Sequence, residues 1–327
     1  MNKISRQIVN KIIEIHGSKD FKIAFLPYKR SMWNSMSSVY EECIASGIEA
    51  HVYPIPYLRM KENKQIDFID SDRELFGDIA EDIEALADLH PDYIVIHYPY
   101  EDHNKVTNML PEYFTRPLKE RYKAKIIYIP YGIAYGNFNM HFSLQPGVMD
   151  VDYAFLESQE NADRFVMGWY QYGVDFSGRV FGFGSPKLDV AANAQKEVPA
   201  KWEAVVRARQ ITLVSTSLSR FIMNPFRCLL TYQEEVDNET AHDHAVIFRP
   251  HPLLRTTIKS MLPHVQTSFD KLIEHLKENP DVIIDESEYL ERAIGCADVL
   301  ISDPSSVFNM WQATGKPCKL INDLEVG

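Results

Sequence analysis

Short apolar runs alternate along this chain with segments whose apolar residues recur at helical spacing. The first half carries the runs KIAFLP (22–27), AHVYPIP (50–56), DYIVIHYP (92–99), KIIYIP (125–130), DYAFLES (152–158) and RVFGFG (179–184). Helical patterns fall between them at 34–46, 75–89 and 159–172. The second half repeats the scheme with ITLVST (211–216), AVIFRP (245–250), DVIID (281–285), DVLISD (298–303) and PCKLIN (317–322). Helical patterns at 226–237, 266–278, 288–296 and 306–314 separate these runs. Nearly continuous apolar strands alternating with helices predict parallel sheets covered on both faces.

The predicted class is therefore α/β, with two doubly wound domains facing one another across a cleft. A polar, alanine-rich stretch, VAANAQKEVPAKWEAVV (190–206), marks the hinge. The domains are placed at 1–190 and 208–327, with 191–207 as linker. A length of 327 residues suits two domains of ordinary size. No internal repeat and no low-complexity tract is present. In such sheets ligands bind beyond the carboxyl ends of the strands, so the strand exits are where chemistry is sought.

Composition narrows the picture only in part. Hydrophobic residues make up 45%, enough for two cores, while the net charge of −12 argues against the whole chain embracing nucleic acid or an anionic membrane. A local basic pocket for an anionic substrate stays compatible with that charge. Cys43, Cys228, Cys296 and Cys318 are far apart and form no CxxC pair, as expected of reduced thiols in a cytoplasmic protein. No secretory signal is recognised, and no run reaches the roughly 20 apolar residues of a membrane span. The opening MNKISRQIVNKIIEIHG sets Ile4, Ile8, Ile12 and Ile15 near one helical face. That face fits a helix docked on its own domain or a partner better than a peripheral membrane contact.

The strand exits of the second half hold the strongest chemistry. VIFRPHPLL (246–254) leaves a strand through Arg249 and then His251, held between two prolines. Each proline fixes its own φ and biases the residue before it toward extended backbone, so these side chains leave a stiff, non-helical segment. VLISDPSSVFNMWQATGKP (299–317) reads as a strand ending at Ser302, a loop through Asp303, and a helix opening at Ser305 or Ser306. Alone, SDPSS is more often an ordinary N-cap than a phosphate site. Beside FRPHP it gains weight, because a guanidinium, an imidazole and a helix N-terminus together suit a pyrophosphate.

STSLSR (215–220) adds Thr216, Ser217 and Ser219 as phosphate donors or polar caps. FGSPKLD (183–189) adds Lys187 beside a glycine-proline turn. Lys316 in TGKP reads as a charge near a helix C-terminus. In the first half, Lys29, Arg30 and Asn34 leave one strand end, while His97 and His141 are candidates for proton handling on the acceptor side. AHDHAV (241–246) offers His242, Asp243 and His244, but no third ligand is placed, so neither a metal nor a cofactor is expected.

FRPHPLL together with ISDPSSVFNMWQATGKP resembles the CDP-glycerol glycerophosphotransferase family, the teichoic-acid polymerase type of GT-B enzyme. FLPYKRSMWNSMSSVY, YPIPYL, HYPYEDHNKVTN, YIPYG, GSPKLD and STSLSR extend the resemblance over most of the chain, as a short branch without membrane spans. It implies two Rossmann-like domains, a CDP-linked donor in the second and an acceptor hydroxyl presented by the first. Carried across, Arg249 and His251 meet the donor phosphates, while Ser302, Asp303, Ser305 and Ser306 line the cytidine diphosphate pocket. Lys187, Thr216 and Ser217 join the donor site.

One departure counts against a simple transfer of function. The family's first-domain HGT histidine, its proposed base, is absent where this chain reads YIPYGIAYG. Either His141 or His97 substitutes, or the acceptor chemistry differs, or activity has been lost. The chain also ends at CKLINDLEVG, soon after the last expected strand, which implies a shortened architecture without the usual returning helix. The reading favoured by these residues is transfer of glycerol phosphate from a CDP-linked donor to a hydroxyl of a cell-surface glycan precursor. The enzyme would be cytoplasmic or peripheral at the inner membrane face, with no nucleic-acid partner. A nucleotide-sugar glycosyltransferase and a non-catalytic GT-B module that binds a nucleotide or glycan are the alternatives.

Overall fold

A strand without a single exposed position, such as Tyr93–Ile96, has to be covered on both faces, and this demand organises the first half of the molecule. The computed structural model describes residues 2–60, 65–101, 107–133, 144–207 and 209–321. Two compact units divide the chain, Met1–Val190 and Ala191–Gly327.

In the first unit a six-stranded parallel sheet forms from β1 (Lys22–Phe25), β2 (Glu49–Val52), β5 (Tyr93–Ile96), β7 (Lys125–Tyr128), β8 (Tyr153–Leu156) and β9 (Val180–Gly182). Their order across the sheet is β2-β1-β5-β7-β8-β9, so the direction of winding reverses between β1 and β5. Alternate residues serve opposite cores. Ala24, Ile94, Ile96 and Ile126 face one, while Ile23, Phe25, Val95 and Ile127 face the other.

The N-terminal helix Lys3–His16 completes the second of these cores through Ile8, Val9 and Ile12, each at most 1% exposed. That apolar face is therefore spent on the helix's own unit. The Asp189 carboxylate accepts from the Ile4 and Ser5 N–H groups at 3.2 and 2.7 Å, supplying the N-terminal cap that Asn2 does not.

Two parts of the first unit differ from expectation. A small antiparallel sheet of β3 (Tyr57–Met60), β4 (Ile66–Ile69) and β6 (Thr107–Met109) was not anticipated, because its strands are only three or four residues long. The helix expected at 75–89 breaks into the 3₁₀ turns Arg73–Ile79 and Ile83–Ala85 and the single turn Leu86–Leu89. Gly77 lies within it at φ 62°, ψ −143°, a conformation open essentially to glycine alone.

The second unit's five-stranded parallel sheet comprises β10 (Ile211–Ser215), β11 (Ala245–Arg249), β12 (Val282–Ile284), β13 (Val299–Ser302) and β14 (Cys318–Leu320). The order is β12-β11-β10-β13-β14, reversing between β10 and β13. Helices Pro225–Ala241, Leu254–Met261 and Gln266–Glu278 cover one face with Leu229, Ile258, Phe269 and Ile273 against Val214, Val246 and Phe248. The stretch expected as a linker belongs to this unit. Cys296 Sγ donates to the Glu197 carbonyl, Trp202 is buried, and a Cβ on Gly295 would lie 1.9 Å from the Gln195 carbonyl oxygen.

Buried at the carboxyl end of β5, His97 is 1% exposed. Its Nε2 accepts the Tyr28 N–H at 2.8 Å, which places the proton on Nδ1, 2.9 Å from Ser35 Oγ. Burial, and secondarily the Lys187 ammonium, push the imidazole pKa down to about 3. The neutral ring is thus part of the folded state. An unfolded chain takes up the proton below the ordinary value of 6.5, so this contribution is complete above that pH and is lost as pH falls toward 3. Stability measured by urea unfolding between about pH 6 and pH 4 should fall less steeply in His97→Asn than in wild type, by up to about 1.4 kcal/mol per pH unit. Identical slopes would exclude His97 as the responsible group.

Candidate functional site

Three strands end side by side at one edge of the second sheet. Ser215, the last residue of β10, stands in register with Arg249 of β11 on one side and Ser302 of β13 on the other. The winding reverses between β10 and β13, so their exit loops part to opposite faces and leave room beyond the strand ends. Arg249, His251, Thr216, Ser217, Ser302, Asp303, Ser305 and Ser306 are all brought to this edge. Lys187 belongs to the first unit, and His141 lies outside the described residues.

Hydrogen bonds at its backbone and its ring fix His251. Its N–H donates to Thr216 Oγ1 at 3.0 Å, tying the β11 exit to that of β10, and its Nδ1 accepts the Leu253 N–H at 3.1 Å. A ring nitrogen that accepts from a main-chain amide carries no proton, so the neutral imidazole bears its hydrogen on Nε2. His251 is thereby set as a donor through Nε2, with its backbone braced by Pro250 and Pro252.

Arg249 does different work from that expected. Its guanidinium is 7% exposed and donates to the Asp285 carboxylate and, at 2.7 Å, to the Ser287 carbonyl. Direct contact with donor phosphates gives way to an internal staple that holds the loop after β12 against the exit of β11. The cause is local: a buried guanidinium needs a compensating charge, and Asp285, 1% exposed, supplies it.

Asp303 and Ser302 are likewise internal. Both are fully buried, and Ser302 Oγ donates to the Asp303 carbonyl at 2.8 Å. The Asp303 carboxylate accepts from the Ser217 N–H at 3.1 Å and from the Tyr232 hydroxyl at 2.9 Å, which joins the exits of β10 and β13. Burial pushes its pKa up, against the lowering effect of those donors. These two residues build the floor rather than reach into solvent.

Ser305 caps the helix Ser306–Gln312, its Oγ accepting the Phe308 N–H at 3.2 Å. Lys316 serves another helix: its ammonium donates to the carbonyls of Ile294, Gly295 and Ala297 at the C-terminal end of Leu290–Cys296.

Between the exits of β11 and β12 lies a small concavity of about 80 Å³, open to solvent, bordered by His251, Arg255, Asp285, Ser287 and Glu288. Arg255 Nε donates to Glu286 at 2.6 Å. The segment DESEYL (285–290) was missed as site-forming in the sequence, although it follows a predicted strand at the same sheet edge and the strand-exit rule reaches it equally. Asp285 and Ser287 were missed for a further reason: their partner, Arg249, is 36 and 38 residues away.

The histidine pair after the helix Pro225–Ala241 is bound locally. His244 Nδ1 lies 2.8 Å from Glu239, and His242 Nδ1 lies 2.8 Å from the Asn238 carbonyl. Among the described residues no group of three or more His, Cys, Asp or Glu side chains is placed to hold a metal ion. No helix among them is long and apolar enough to cross a membrane.

No protein-family model matches the chain, and no curated protein matches it in sequence. Solved structures do. UDP-GlcNAc 2-epimerase from Methanocaldococcus jannaschii is similar at 15% identity and TM-score 0.56, over 92% of this chain and 84% of that one. The corresponding epimerase from Neisseria meningitidis, bound to UDP-GlcNAc, is similar at 13% identity and TM-score 0.55, over 92% and 83%. The wall teichoic acid polymerase TagF aligns at 12% identity over 97% of this chain and 78% of that one, with a TM-score of 0.44, too low to support an argument. At these identities the likeness concerns the fold. The expected class holds: a GT-B-like α/β chain built from Rossmann-like units.

Removing the staple has a signed consequence. Arg249→Met leaves the Asp285 carboxylate buried without its partner, and should cost about 3–5 kcal/mol in urea unfolding. The double variant Arg249→Met, Asp285→Leu should recover much of that loss. A cost below about 1 kcal/mol for the single variant would show that the pair is not a structural element.

Proposed function

We propose that this chain transfers glycerol phosphate, or a similar polyol phosphate, from a CDP-linked donor to a hydroxyl of a cell-surface glycan or teichoic-acid-like precursor. The observation that carries the reading is the meeting of the proline-braced His251 with the Thr216 and twin-serine loops at one sheet edge, at a reversal of winding. The motif resemblance supplies the donor class, and the fold likeness agrees with a nucleotide-linked substrate.

In this reading the acceptor oxygen attacks the β-phosphorus of the donor in line. The bond from that phosphorus to the bridging oxygen breaks, and CMP departs with the bonding electron pair. His251 donates from Nε2 to the departing phosphate, and the main-chain N–H groups opening the serine-capped loop face the same charge. Positioning and charge stabilisation carry most of the rate. Arg249 contributes by holding the β12 loop. His97 is a poor base for the acceptor proton, since both its ring nitrogens are engaged internally. His141 is the candidate that remains for that proton.

A second reading keeps the fold and exchanges the donor for a nucleotide-sugar. It is favoured by the likeness to epimerases of UDP-GlcNAc, one of them bound to that sugar nucleotide. A non-catalytic nucleotide- or glycan-binding module is the third, and rests on the missing HGT histidine.

Wild-type protein given CDP-glycerol and a polyol-phosphate acceptor should release CMP, and His251→Ala should slow that release by about 100-fold or more. Equal rates in the two proteins would remove His251 from the mechanism. Turnover of UDP-GlcNAc with CDP-glycerol untouched would favour the second reading, and binding without turnover of either donor the third.

A further inference from the structure

We propose that an exposed apolar patch on the second unit, built by Met223, Phe226, Leu230 and Met261, docks this chain on an anionic lipid surface. The patch lies outside the candidate site, and the inference stands whether or not the transfer reading holds.

The four side chains come together from three helices. They are 64%, 48%, 57% and 63% exposed. Phe226 and Leu230 stand one turn apart on the helix Pro225–Ala241, while Cys228, Leu229, Tyr232 and Val236 turn to the core. Met223 ends the helix Leu218–Met223, three residues before Phe226. The Phe226 ring lies 6.0 Å from that of His264, three residues beyond Met261, so the end of the helix Leu254–Met261 reaches the same place. The core of the unit is closed without any of them, by Leu229, Ile258, Phe269 and their neighbours. Single exposed apolar residues are ordinary, but a group gathered from three helices marks an interaction surface.

Charge decides the occupant. Acidic residues outnumber basic ones in the chain by 46 to 34, yet the segments 216–233 and 250–269 that carry the patch hold no Asp or Glu at all. Their cations are Arg220, Arg227, Arg255 and Lys259. Arg255 is taken by Glu286, whereas Arg227 follows Phe226 and Lys259 precedes Met261 by two residues, both exposed. Exposed Glu234, one turn beyond Leu230, marks where the face ends.

Apolar side chains flanked by cations suit the boundary between acyl chains and anionic headgroups. The unbranched, pliable methionines suit a disordered phase better than a rigid partner. A second copy would set the same cations against each other, which disfavours pairing of two such faces. The net charge of −12 repels the remainder of the molecule from an anionic surface, so contact through this face fixes the orientation. No helix among the described residues is fit to span, so the chain would lie on the bilayer. Leu218 and Leu254 open their helices three residues after Ser215 and His251, which sets the exits of β10 and β11 beside the docked face.

Co-sedimentation of the full chain with vesicles, without nucleotide, tests the assignment. Wild type should bind phosphatidylcholine vesicles containing phosphatidylglycerol about tenfold or more tightly than phosphatidylcholine alone, and lose most of that preference between about 0.05 and 0.5 M salt. Phe226→Ser with Leu230→Ser should weaken binding to the mixed vesicles by about tenfold or more. Arg227→Glu with Lys259→Glu should abolish the preference for phosphatidylglycerol. All four positions are exposed, so urea unfolding should match wild type and confirm that the variants fold. Absence of wild-type binding overturns the inference, and so does full binding by the serine variant, which would put the contact elsewhere. Self-association that the serine variant loses, with vesicles left unbound, would give the face to a second copy. CMP release is not read in any arm, so failure here leaves the transfer reading untouched.

Discussion

Parallel strands bury their faces and concentrate their unpaired exits at one edge, and in the second unit this places Ser215 in register between Arg249 and Ser302. Everything at the candidate site hangs from that register. Slipping one strand by a residue would turn its side chains to the opposite face, so the apolar cores that set the register also set the site. Thr216 accepting from His251, and Asp303 accepting from Ser217 and Tyr232, then lock the three exit loops to one another.

Three of the buried polar side chains near the strand exits are committed to structure. His97 is neutral and engaged at both nitrogens, Arg249 is matched by Asp285, and Asp303 bridges two loops. Each follows from the cost of leaving a charge or a donor unpaired away from water. At the rim of the same edge stand His251, the twin-serine loop and Glu288. A site reading that counts residue types without asking which are already satisfied assigns Arg249 and Asp303 the wrong work.

The same economy accounts for the first unit. Asp189 caps the N-terminal helix from the far end of that unit's chain, and Ser5 Oγ meets Ser38 Oγ at 2.8 Å. The helix that the sequence favoured as docked on its own domain or a partner is held within its own unit, through two N–H bonds to Asp189 and three buried aliphatic side chains.

Hydrophobic patterning alone located the strands of both parallel sheets, because an all-apolar run bounded by turn residues has few other uses. It also located the strand exits, and with them FRPHP, STSLS and SDPSS. Patterning did not reveal the small antiparallel sheet, whose strands of three or four residues are too short for a period to register, nor the break at Gly77, which depends on one backbone conformation. The partners were equally out of reach. That Arg249 is spent on Asp285 is decided by which loops the sheet order brings together, and a charge's availability depends on neighbours distant in sequence.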